Sequence, residues 1–175
     1  MDVLLDILKY TLPSLIIFFT VFIFLRTWSR NEDKKRTHEF NMHIQDDILP
    51  IRLQAYERII LFLERIAPES ILLRLNRTGM TARQLQAELQ NTIRHEYEHN
   101  LTQQTYISGD AWQRVQLARN QILKIVNDSA AQLKEGASGA TLGKLILEQM
   151  MELQVTPSQA AIDYLKLEVK KLFLQ

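Results

Sequence analysis

The sequence predicts an all-α protein: an N-terminal transmembrane helix followed by an antiparallel cytoplasmic domain of about five helices. Three observations lead there. An uncharged apolar run of 14 residues, LPSLIIFFTVFIFL, extends from Leu12 to Leu25. Basic residues crowd its C-terminal flank. Every later segment repeats its apolar residues at helical spacing, and none alternates as a half-buried strand does. The implied division is an anchor over 1–28, a charged juxtamembrane segment over 29–48 and a helical domain over 49–175.

The apolar run alone is short for a bilayer, but the turns before it extend the stretch from Val3 to Leu25. At a rise of about 1.5 Å per residue this covers roughly 35 Å, enough to cross with some tilt. Asp6 and Lys9 stand one turn apart near the outer end, where they pair and reach for headgroups. Tyr10 and Trp28 bracket the core as interfacial aromatics do. Pro13 kinks the outer end. A cleaved signal peptide fits poorly, because Asp2 and Asp6 replace the basic start and RTWSRNEDKKR follows where a small-residue cleavage site belongs. Arg26, Arg30, Lys34, Lys35 and Arg36 follow the run, against Lys9 alone before it. The positive-inside rule then places the N-terminus outside and the domain in the cytoplasm. The same five charges can touch anionic headgroups.

Beyond the flank, Pro50 opens a segment whose face carries Ile51, Ala55, Tyr56, Ile59, Phe62, Leu63 and Ile66, with Pro68 closing it. PESILLRLN makes a short helical turn that stops at Thr78-Gly79. Thr81 caps a helix running through Ile107, and Ser108-Gly109-Asp110 breaks it. A helix from Ala111 to about Leu133 buries Trp112, Val115, Ala118, Ile122, Ile125, Val126 and Leu133. EGASGA is a small-residue linker. Thr141 to Leu153 forms a shorter helix. Thr156, Pro157 and Gln159 then supply cap, first-turn proline and capping-box residue for the last one, which buries Ile162, Leu165, Val169, Leu172 and Phe173. Short connections favour antiparallel neighbours.

Composition excludes several classes of function. From Thr37 onward, 15 basic residues meet 16 acidic ones, so no concentrated basic surface is offered to nucleic acid. The chain has no cysteine, which removes disulfides, thiol catalysis and cysteine-ligated zinc. No glycine-rich phosphate loop is present, and no cofactor is expected.

One constellation resembles chemistry. His95-Glu96-Tyr97-Glu98-His99 fits H-E-x-x-H, which aims both imidazoles at one zinc ion with the glutamate as base. Its surroundings speak against a membrane-anchored zinc hydrolase. The motif is flanked by Arg94 and Asn100 instead of a dry apolar shell. With Ala82, Leu85, Leu89, Ile93 and Ile107 as the buried stripe, Glu96 and Asn100 turn inward while His95 and His99 turn to solvent. No third ligand among Asp110, Asp128, Glu135, Glu148 and Glu152 sits in a recognisable motif. The inward Glu96 needs a partner, and Arg52, itself amid an apolar face, is the expected one.

LQAYERIILFLERIAP (53–68) and ExEHNLTQQxYISxxAW (96–112) resemble an uncharacterised family of bacterial single-pass membrane proteins with an N-terminal anchor and a helical cytoplasmic domain of unknown function. The resemblance implies a polar core of Glu96, Glu98, His99 and Asn100, without His95, and carries over no catalytic residue. The functional expectation is a non-enzymatic interaction or scaffold module at the inner membrane. It would contact lipid through its anchor and other membrane or cytoplasmic proteins through exposed apolar residues such as Leu61, with self-association through the terminal helix or the aromatic-rich anchor. A lipid-surface adaptor acting through Arg26 to Arg36 is a third class.

Overall fold

The computed structural model describes residues 17–26, 28 and 48–173. These fall in two compact units, Met1–Leu49 and Pro50–Gln175. In the first, residues 17–26 and 28 are helical, with their apolar side chains exposed. Phe18 stacks on Phe22, and Phe24 meets Trp28 edge-on. Among the described residues no helix is long and apolar enough to cross a membrane. Residues 3–16 of the expected span lie outside them, with Asp6, Lys9, Tyr10 and Pro13. So do Arg30, Lys34, Lys35 and Arg36 of the basic flank; Arg26 is helical.

The second unit is all-helical among the described residues, apart from one isolated antiparallel bridge. Helix α1 covers 48–66, with 50–66 in this unit. Its buried face is Ala55, Tyr56, Ile59, Phe62, Leu63 and Ile66. Ile51, placed on that face by periodicity, is exposed at the first turn. The helix stops at Ala67 because Pro68 forces the preceding residue out of helical geometry, and Ala67 has ψ 132°. Helix α2 is Pro68–Leu75.

Thr81 caps α3, Ala82–Asn100, in a full capping box. Its hydroxyl accepts from the Gln84 amide at 3.2 Å while the Gln84 side chain accepts from the Thr81 amide at 3.0 Å. The α-helical geometry does not continue to Ile107. Leu101–Thr105 tightens into a 3-10 turn. The Asn100 side chain donates to the Glu96 carbonyl at 2.8 Å, competing for the acceptor that holds the α-helical ladder there. Ser108 then caps α4, Gly109–Ala131, accepting from the Ala111 amide. Ser138 caps α5, Gly139–Met151, and Thr156 caps α6, Pro157–Leu172, with Pro157 in the first turn as expected. Phe173 lies beyond the last turn and is exposed, not buried.

Pairwise contacts fix the directions. Arg52 reaches the Tyr106 carbonyl, Phe62 meets Tyr97, and Arg65 meets Glu96, so α1 runs antiparallel to α3 and its extension. Ser108 bonds Glu168 and Arg114 covers Tyr164, so α4 and α6 are antiparallel too. These two pack extensively on each other, while α3 packs on both α4 and α5.

EGASGA is less of a free linker than its composition suggests. Gly136 makes the turn at φ 87°, a conformation that costs other residues strain. Thr81 and Ser138 then pair as the antiparallel bridge, with the Ala82 amide on the Ala137 carbonyl at 2.8 Å and the Gly139 amide on the Met80 carbonyl at 2.7 Å. A Cβ on Gly139 would lie 3.1 Å from the Met80 carbonyl oxygen. The small residues let two backbone segments close on each other, and α3 and α5 start side by side.

Candidate functional site

A groove of about 490 Å³ lies between α1 and α3. Arg58, Leu61, Phe62 and Arg65 line it from α1; His95, Glu96, His99 and Asn100 line it from α3. The helical wheel places the α3 residues correctly. His95 and His99 are exposed on the outer edge, and Glu96 and Asn100 are partly buried on the inner one.

The partner of Glu96 is a different arginine from the expected one. Glu96, with its side chain only 14% exposed, holds the Arg65 guanidinium at 2.6 Å, with Arg74 of α2 at 3.9 Å. Arg74 also donates to the Arg65 carbonyl at 2.6 Å, tying α2 to the end of α1. Arg52 lies some 13 residues earlier on the same helix, about 20 Å away at the helical rise. There its Nε donates to the Tyr106 carbonyl at 3.2 Å. An apolar-face argument identifies that Glu96 needs a cation; only the offset between α1 and α3 decides which.

His95 and His99 touch each other, with ring centroids 4.5 Å apart and planes at 78°. Among the described residues no group of three or more His, Cys, Asp or Glu side chains gathers as metal ligands. Of the third-ligand candidates, Asp128 faces Lys124 and Glu148 faces Lys144. A zinc hydrolase also needs Glu96 free to take a proton from a bound water. Here two guanidiniums engage that carboxylate. Of the residues implied by the family resemblance, Glu96, His99 and Asn100 line the groove and Glu98 is exposed beyond its lining.

Tyr97, inside the motif, belongs to the core packing. Its ring stacks on Trp112 at 5.5 Å and meets Phe62 at 6.1 Å, and the Arg119 guanidinium lies 4.1 Å from its centroid. Gln116 donates to its hydroxyl at 3.3 Å. Phe62, which Tyr97 meets, also lines the groove.

A second polar cluster escaped the sequence reading. Glu168 on α6 accepts from the Tyr56 hydroxyl at 2.7 Å and from the Ser108 hydroxyl at 2.9 Å, joining α1, the start of α4 and α6. Burial, then the hydrogen bond to the Glu168 carboxylate, pushes the Tyr56 pKa up to about 12. The signal was available, since Glu168 shares the apolar stripe of Leu165, Val169 and Leu172. The reasoning that singled out Glu96 applies equally there.

No curated protein and no solved structure matches this chain. The model of a family of unknown function matches residues 2–172, and over nearly its whole length the chain belongs to that family, DUF7935.

Proposed function

We propose that the chain is a membrane-anchored, non-enzymatic interaction module whose helical domain stands at the cytoplasmic face of a bacterial inner membrane. The apolar segment Val3 to Leu25 and the basic flank Arg26, Arg30, Lys34, Lys35 and Arg36 support the anchor and its orientation. One observation carries the interaction role: a second groove, of about 540 Å³, between α2 and α5. Leu72, Gly143 and Leu147 line it. Leu73 and Met151 line it too and are 87% and 85% exposed, more than any other large apolar side chain among the described residues of the domain. Contiguous apolar surface of this kind serves contacts.

The occupant that fits is a second copy of the chain. Protruding apolar side chains lie next to a recess floored by a glycine, and the rim carries both signs, Glu69 and Glu148 against Lys144. Such a patch is self-complementary across a two-fold axis. Tethering in a membrane raises the effective concentration of the copies, so a modest interface suffices.

The absence of native cysteine makes the test direct. Leu73→Cys chains in membranes, treated with a short bis-maleimide, should cross-link to dimers, and adding Met151→Glu should abolish the product. Leu117→Cys, exposed on α4, serves as the control and should stay monomeric. Monomer alone from Leu73→Cys, or equal cross-linking from Leu117→Cys, would contradict the reading.

A further inference from the structure

We infer that the α1/α3 groove binds a phosphate group. Arg58 and Arg65 enter the groove from α1, and His95, His99 and Asn100 from α3. The one carboxylate in the lining, Glu96, is already neutralised by Arg65, with Arg74 of α2 behind it. Among the described residues Arg58 has no anionic partner, and the two imidazoles meet only each other. The groove thus gathers more donors than the protein itself satisfies, and they converge from two helices. Separate donors in different directions suit a tetrahedral oxyanion with several acceptor oxygens. Phe62 and Leu61 in the same lining accommodate an apolar part of the ligand. A divalent cation is the opposite solution for the histidine pair, and the unpaired Arg58 guanidinium in the same groove repels it.

Sulfate serves as the tetrahedral oxyanion probe. Full-length chain in zwitterionic micelles, followed by the imidazole NMR signals of His95 and His99, should bind sulfate saturably. Arg58→Gln and His99→Gln, both exposed positions, should weaken binding roughly tenfold without changing the helical circular dichroism. Glycerol 3-phosphate and a short-chain phosphatidic acid in the micelle then distinguish a soluble phosphomonoester from a lipid headgroup. The source is whichever moves the imidazole signals in the wild type but not in Arg58→Gln. Non-saturating sulfate shifts, indifference to both substitutions, or silence toward both phosphates would each overturn the proposal. So would stoichiometric zinc bound by the pair and displaced by no anion.

Discussion

Trp112→Ala should destabilise the domain by about 4 kcal/mol, measured by urea or thermal unfolding. The indole is 8% exposed and stacks on Tyr97, which in turn meets Phe62 and carries Arg119 and Gln116. Truncation removes the aromatic area and leaves a cavity between α3 and α4. It also strips Tyr97 of one face of its packing. A domain of this size has about 5–15 kcal/mol in all, so the variant should melt far below the wild type. Trp112→Phe keeps an aromatic ring against Tyr97 and should recover more than half of the loss. A change below about 1 kcal/mol for the alanine variant, a value typical of surface positions, would mean that the aromatic stack is not part of the core.

Glu168→Ala should cost about 3 kcal/mol by the same measurement. The substitution deletes a charged acceptor and orphans two donors, one of them the hydroxyl of Tyr56, which is 1% exposed. Because Glu168 joins three helices, the loss should appear as a lower cooperative midpoint, not as fraying of α6 alone. The same cluster gives an alkaline signature. The Tyr56 pKa is pushed above the ordinary tyrosine value of 10.0 to about 12, so the folded state holds this proton more tightly than the unfolded chain. The contribution is complete below the ordinary tyrosine pKa, shrinks as pH rises beyond it, and is gone above about 12. Tyr56→Phe should lack that component of alkaline destabilisation. An identical alkaline fall in the two proteins would break the assignment.

How much of this was legible in the sequence follows from what each feature depends on. The starts at Thr81 and Thr156 were readable because caps are local, each hydroxyl bonding an amide three residues on. The orientation of the α3 polar residues was readable because a wheel needs only periodicity, and it put Glu96 and Asn100 inward and His95 and His99 outward. The partner of Glu96 was not readable. Choosing Arg65 over Arg52 requires the register between α1 and α3, which no residue on either helix encodes alone. Tyr97 was missed as core because its neighbours in the motif are polar. Only the approach of Trp112 from α4 shows that its ring is covered. The clip between Met80–Ala82 and Ala137–Gly139 uses backbone groups, so its signature is merely a run of small residues. Glu168 is legible by the same wheel, because it shares the stripe of Leu165, Val169 and Leu172.

A domain held at a membrane and facing inward is the central proposal, and paired single-cysteine variants of the cysteine-free chain test it directly. Asp2→Cys and Leu73→Cys, each expressed in cells, would be exposed to a membrane-impermeant maleimide before and after the membrane is broken. The predicted result is labelling of Asp2→Cys in intact cells and labelling of Leu73→Cys only after rupture, with both chains retained in the pellet through alkaline carbonate. Labelling of Leu73→Cys in intact cells, or release of either chain by carbonate, would contradict it.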